Sequence, residues 1–422
     1  MSNEVRAARW SLLVQFALFG LVMSSWLSRM PSIREALDVN AAQLGGLLVV
    51  GGLGSLTGAL TIGVVVARFG SRRALLAGTI GNVVGFGSIA FATATGDVRF
   101  FIAGAFVNGF CGSLVNVPIN TNAAEVERRI GKAILPHFHA CFSIGAALGA
   151  LVGAGFAALH VSITVQILVV LTAVTVARLA LYRPATALTL HVPITTETGS
   201  ISHDATAAHR RGAMRQALGA WREPRTLLLG VVLLAASLAE GTATTWLSLA
   251  VVDGFATAEA AGALAYGTFV AAMTVFRFLG TPLIDRFGRV AVLRVSGLAT
   301  FSGVLLFVFS PSLATAWIGV LLWGCGAALG NPIAISAASD DPVHAGPRVA
   351  VVTSFSTVSS LAAPPLLGLL ASEVGARHAI LVVAAVAVVS FSVASQARRR
   401  PVPVSDEAPA ATPASVDRAS AD

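Results

Sequence analysis

The chain has 422 residues, of which 55% are hydrophobic and 11% charged, with a formal net charge of +8. Soluble domains carry roughly a quarter charged residues, so these proportions, with a mean hydropathy of +0.81, exclude an ordinary soluble enzyme and define a polytopic membrane protein. Cys111, Cys141 and Cys325 all fall in apolar stretches and are odd in number, so neither a disulfide framework nor a zinc site is expected.

A helix needs about 20 apolar residues to cross about 30 Å of hydrocarbon. On that measure the sequence predicts twelve spans: 10–30, 42–66, 74–94, 99–122, 134–157 and 161–182, then 226–251, 260–284, 290–310, 313–337, 349–371 and 377–396. No small-residue cleavage site follows the first span, which reads as a helix rather than a removable signal. The stretch 183–225, rich in Thr, Ala, His and Arg, reads as a cytoplasmic linker between two bundles at 1–182 and 226–400, and 401–422 as a disordered cytoplasmic tail. Among the cations, Arg29, Arg34, Arg99 and Arg377 fall in the expected outer loops and Arg277 lies within a span, while the rest sit on the other side. That bias puts both termini in the cytoplasm. The basic balance then reflects topology: the partner is the lipid bilayer, and no nucleic acid, cofactor or metal is expected.

The charged turn between the second and third spans, Gly63 to Arg73, returns in part as Leu283 to Val290. Each copy holds Arg-Phe-Gly, with Gly70 and Gly288 free to reverse the backbone and the cations Arg68, Arg72, Arg73 and Arg286 fixing that end of the helix pair in water. Other landmarks recur at a slowly shrinking offset. Ser24-Ser25-Trp26-Leu27-Ser28 returns as Thr244-Thr245-Trp246-Leu247-Ser248, about 220 residues on, and Phe142-Ser143 as Phe355-Ser356, about 213 on. This pattern predicts an all-α membrane protein of twelve transmembrane helices in two pseudo-symmetric six-helix bundles.

The 6+6 spans, the long central loop and the Gly63...Arg68-Phe69-Gly70-Ser71-Arg72-Arg73 turn resemble the major facilitator superfamily, whose loop signature reads roughly G-x-x-x-D-R-x-G-R-R. Ala67 stands in the aspartate position of the first copy; the second keeps Asp285 but has Thr281 in place of the glycine. Within that family, Trp26-Leu27-Ser28-Arg29-Met30-Pro31-Ser32-Ile33 and the segment from Asn116 to Gly145 resemble a bacterial inner-membrane group near the fucose permeases and rhizopine-associated membrane proteins. The resemblance implies a monomeric secondary transporter of a small polar, sugar-like solute, working by alternating access. It also implies that an aspartate such as Asp285 braces the opposite half when the cytoplasmic side closes, and Lys132 is its expected partner.

A carrier needs polar groups near the bilayer midplane. Glu240, an isolated carboxylate in the seventh span, suits proton uptake and release because desolvation favours its neutral form; a hydrogen-bonded packing residue is the alternative. Asn116 and Asn120 share one helix face and line a cavity or bond a neighbouring helix. Thr244, Tyr266, Trp323 and Asn331 are further cavity candidates. Trp26 and Arg29, with Trp246 as the repeat of Trp26, suit a sugar or an anion, or else an interfacial anchor. His139 with Glu125 forms either a proton relay or an interfacial polar cluster. Arg277 is expected to pair with a cytoplasmic carboxylate such as Asp340. The run Gly145, Gly149, Gly153 reads as close helix packing, while its likeness to a glycine motif of drug/proton antiporters keeps proton-coupled efflux as the alternative to symport. A channel would need a repeated pore ring, and an enzyme a nucleophile, paired carboxylates or a phosphate loop; the sequence has none of these patterns.

Overall fold

The computed structural model describes residues 2–132, 134–189, 219–341 and 344–399, with Thr189 and Thr281 described by their backbone alone. Most of the expected linker, 190–218, and the whole expected tail, 401–422, lie outside the described residues. The remainder is helical, with no strand among the described residues. In chain order the helices are α1 (Asn3–Leu27), α2 (Met30–Ala36), α3 (Ala41–Thr95), α4 (Val98–Ile130), α5 (Leu135–Ala158), α6 (Ile163–Ala185), α7 (Pro224–Phe255), α8 (Glu259–Phe309), α9 (Leu313–Ala327), α10 (Gly330–Ala338), α11 (Ala345–Ala379) and α12 (Leu381–Val393).

Helix and span are not the same thing here. The 55 residues of α3 would reach about 80 Å as one rod, far beyond the hydrocarbon thickness. The helix breaks once, at Gly70 (φ 82°, ψ 157°), giving two spans. The break in α8 falls at Gly288 with almost the same dihedrals (φ 79°, ψ 157°), and that in α11 at Gly375 (φ 83°, ψ 152°). This region is open essentially to glycine alone. Conversely, the tenth span is two helices, α9 and α10, interrupted at Ala328–Leu329 ahead of Pro332, whose ring cannot sit in an unbroken helix interior. The chain therefore crosses twelve times. Its first helix starts at Asn3, ahead of the expected span, and stops at Leu27, three residues before the expected end at 30.

Polar caps set several of the helix starts by satisfying orphan amides. Asn40 and Gln43 form a reciprocal capping box before α3, and the side chains of Ser2, Asp97, Ser162 and Ser312 cap α1, α4, α6 and α9. Packing then relies on close backbone approach. Gly145 and Gly149 of α5 press against the carbonyls of Ala17 and Leu21 in α1, where a Cβ would collide. The glycine run thus serves packing.

An even number of crossings places both chain ends on one side, called here the near end. The two groups of six spans meet towards the opposite, far end. There α5 packs on α8 and α3 on α11: Gly267 lies against Ala150, and Gly45 against the backbone of Pro364 and Gly368. Among the described residues, the hydrogen bonds and ion pairs that join the two halves lie on this far side. The halves diverge towards the near end, leaving a cleft between them.

Candidate functional site

Glu240 sits midway along α7, and α8 brings Arg277 to it: Nη2 of the arginine donates to Glu240 Oε2 at 2.7 Å. The same oxygen accepts Nδ2 of Asn331 at 3.1 Å. The interruption between α9 and α10 explains the rest of this geometry. It strips the Ala328 carbonyl of a helical partner, and such a group at membrane depth needs a donor; Arg277 Nε supplies it at 3.2 Å. Ser237, one turn before Glu240, donates to Asn331 Oδ1 at 3.3 Å and to Ser356 Oγ of α11 at 2.8 Å. Both charged side chains remain about a third exposed, 30% for Glu240 and 31% for Arg277. The centre is a wet ion pair inside apolar spans, and the expectation of an isolated carboxylate is corrected. The reason is local: Arg277 needs an anion once it is inside the membrane, and Asp340 is already committed elsewhere.

That commitment lies at the near end. Asp340 accepts Arg225 at 2.9 Å and Arg289 at 2.6 Å, so the expected Arg277–Asp340 pair does not form. Arg289 also donates to Ser336, tying the second charged turn to α10. Asp285 itself is exposed, as is Lys132, and the two make no ion pair among the described residues. In the first turn Arg68 lies over Phe69 and Arg72 over Tyr182, while Arg73 is exposed. Arg286 over Phe287 repeats the Arg68 contact. Just outside the spans, the Arg348 guanidinium beside Glu223 holds that carboxyl below the usual carboxylate range.

Several cavity candidates cluster above the ion pair towards the far end. Thr244 bonds back to the Glu240 carbonyl at 2.8 Å. Tyr266 is buried beside it, and its hydroxyl shares a 3.1 Å hydrogen bond with Ser24 of α1, so one bond closes the top of the cleft across the two halves. Trp26 is half-buried, edge-on to Phe86. On α4, Asn120 donates to Asn116 at 2.7 Å, and Asn116 stays exposed in an apolar helix.

Other candidates are placed elsewhere. Trp246 and Trp323 are fully buried, Trp323 edge-on to Phe269, and neither indole N–H has a partner; both sit within the packed interior of the last six spans. Arg29 is not in the cleft. It is 3% exposed at the far end, where Nε meets Glu259 Oε2 at 2.8 Å and the guanidinium also donates to Gln166, Ser32 and the Val161 carbonyl. Ser32 donates to Glu259 through both Oγ and N, and Arg34 pairs with Asp253 beside it at 2.6 Å. Glu125 is taken up by Arg128 and Arg129, each at 2.7 Å, whereas His139 lies edge-on to Phe16 and within electrostatic reach of Arg277. The structure does not bring Glu125 and His139 together as a relay. The partners that sequence reading missed were Arg277, Ser237, Ser356 and Glu259. The Gly-Asn-Pro sequence at 330–332 is the signal from which the first of these could have been found.

A sequence profile of the Major Facilitator Superfamily matches residues 11–345 and again 262–419. The chain belongs to this family. A relative in Sinorhizobium fredii, the uncharacterized transporter y4wD, is 31% identical over 369 residues, covering 87% of this chain and 92% of that one. The membrane protein MosC of Rhizobium meliloti is 27% identical over 382 residues, 89% of this chain and 86% of its own. The fold is that of the solved D-xylose-proton symporter, with a TM-score of 0.68 at 12% identity, covering 94% of this chain and 98% of the other. This member of the Major Facilitator Superfamily therefore has the twelve-helix transporter fold, and its one ion pair between spans of the cleft wall, among the described residues, is Glu240–Arg277.

Proposed function

We propose that the chain is a proton-coupled symporter of a small polar solute, moving it across a bacterial cytoplasmic membrane by alternating access with both termini in the cytoplasm. The observation that carries this reading is the Glu240–Arg277–Asn331 centre, half-open to the cleft and embedded in apolar spans. A titratable group inside a membrane span is a functional group by default, because burying it unused is costly. The bias of Lys and Arg towards the near end supports a cytoplasmic placement of that end. With the halves joined at the far end, the cleft then faces the cytoplasm. Asp285 and Lys132 meet only when the near end closes. A sugar-like solute is in keeping with the hydroxyls and amides around the centre and with the structural likeness to a D-xylose-proton symporter. The glycine run of α5 is used in packing on α1, so no separate observation favours efflux.

The test is transport by the purified protein in liposomes under an imposed pH gradient, across a panel of sugars and sugar derivatives. Saturable, trans-stimulated uptake with proton influx is expected. In Glu240→Gln, counterflow should persist while accumulation driven by the gradient is lost. Gradient-driven uptake with unchanged pH dependence in that variant would refute the assignment.

A further inference from the structure

We infer that the Glu240–Arg277 centre takes an anionic solute, a small polyhydroxy carboxylate or a monoanion of like size, and binds it together with the proton. This deepens the symport reading and rests on it for the proton. The argument is one of charge. A guanidinium stays protonated at any physiological pH, and Arg277 is held in place by the Ala328 carbonyl through Nε. Its charge is balanced by a single carboxylate. The carboxylates that bond arginine between helices elsewhere lie towards the two ends and are committed: Asp340 to Arg225 and Arg289, Glu259 to Arg29, Asp253 to Arg34 and Glu223 to Arg348. A proton on Glu240 therefore leaves a lone cation within the membrane.

Neutralising one partner of an ion pair set within apolar spans is unfavourable because the other charge stays behind without a counter-ion. A neutral polyol offers Arg277 hydrogen bonds but cannot cancel that charge. A carboxylate on the solute can, through the same two-pronged geometry that guanidinium and carboxylate prefer. Proton and anion then each raise the affinity for the other, and the linkage is reciprocal. The neighbours allow this. Tyr266 of α8 lies within electrostatic reach of Glu240, and His139 of α5 within reach of Arg277, so protonation of the histidine would add positive charge and favour an anion further. From α10 comes the neutral Asn331, with Ser356 of α11 behind it through Ser237, and from α1 the neutral Ser24. The charged groups on α2 and α11 sit at helix ends, Arg34 with Asp253, Arg348 with Glu223 and Asp341, and Arg377 on far-end carbonyls. Asn331, Ser237 and Ser356 remain to receive hydroxyls.

The experiment compares D-gluconate with D-glucitol, which differ at one terminal carbon, by thermal shift of the full-length purified protein between pH 6 and pH 8. A ligand stabilises the folded state in proportion to its occupancy. Gluconate should raise Tm and glucitol should not, and the apparent gluconate Kd should weaken by up to about tenfold per pH unit on going from pH 6 to pH 8, as one linked proton requires. In Glu240→Gln, gluconate should bind at pH 8 at least as tightly as it binds the unmodified protein at pH 6, with the steep pH dependence removed and only the smaller contribution of His139 left. Arg277→Gln should lose gluconate binding, and Arg277→Lys, which keeps the charge, should retain part of it and so separates loss of charge from loss of fold. The inference is overturned if glucitol stabilises as well as gluconate does at pH 6, if gluconate affinity is indifferent to pH, or if gluconate shifts neither the unmodified protein nor Glu240→Gln. Proton influx on adding glucitol to liposomes would overturn it while leaving proton symport standing. Gluconate binding as expected, without coupled proton movement, would instead remove the symport reading and leave the anion site.

Discussion

Breaking the far-end contact between Arg29 and Glu259 should open that end. Arg29 is 3% exposed and Glu259 18%, and the pair joins a break after the first span to the start of the eighth, so it exists only while the halves touch there. Glu259→Gln keeps the shape and one acceptor for Ser32, which donates to both oxygens of the carboxylate, but leaves a buried guanidinium facing a neutral amide. Breaking a buried ion pair by removing one partner costs about 3–5 kcal/mol, and the remaining contacts of Arg29 to Gln166, Ser32 and the Val161 carbonyl hold the loss to about 2–3 kcal/mol. Since each 1.4 kcal/mol is tenfold, the equilibrium between far-closed and far-open forms should move roughly 30- to 150-fold. The readout is alkylation of Ala150→Cys, a position buried against Gly267 of the other half, with Cys111, Cys141 and Cys325 replaced by alanine. Labelling should accelerate in Glu259→Gln and fall back part-way in the Arg29→Gln/Glu259→Gln double variant, where no charge is stranded. An unchanged labelling rate, or lower stability without faster labelling, would refute the reasoning.

Further outcomes follow from the same geometry. Gly288→Ala and Gly70→Ala meet no neighbouring atom, so the cost is the backbone alone, about 1–3 kcal/mol, read as a lower Tm with transport retained. Gly145→Val forces a side chain into the α1 backbone at Ala17; overpacking of this kind costs about 1–3 kcal/mol or more, and a well-folded variant of unchanged Tm would disprove the close approach. Asp285→Asn should leave the far-closed form untouched and weaken the near-closed form, seen as greater alkylation of cysteines introduced near the start of α5 when solute is present. Ser237→Ala should leave Tm nearly unchanged yet alter solute selectivity, because it frees Asn331 Oδ1; identical selectivity would remove Asn331 from the site.

Spans were legible in the sequence because hydrocarbon length and hydropathy impose them, and the two charged turns were legible because only glycine accepts the backbone found at Gly70 and Gly288. The direction of each helix's contacts was not. Glu240 reads as isolated along the chain, since nothing charged lies within a turn of it. Arg277, 37 residues away, meets it only through the packing of α8 on α7. Arg29 likewise looks like a cleft residue beside Trp26, but the chain turns at Ser28 and carries it into the far-end contact. Pairing across spans depends on helix rotation and tilt, which hydropathy does not encode, whereas Gly330-Asn331-Pro332 is a local signal from which the depth of the site could have been read.

The single-residue breaks at Gly70, Gly288 and Gly375 have a mechanical consequence. No loop separates the helices they join, so the members of each pair have no slack with which to slide past one another along their axes. The two dihedral angles of one glycine are the only joint. In α8 that joint lies between Arg277, at the ion pair, and Arg289, clamped to Asp340. A displacement at the near-end clamp would therefore pass through that one joint to Arg277 and on towards the hydroxyl of Tyr266, with no loop between them to absorb it.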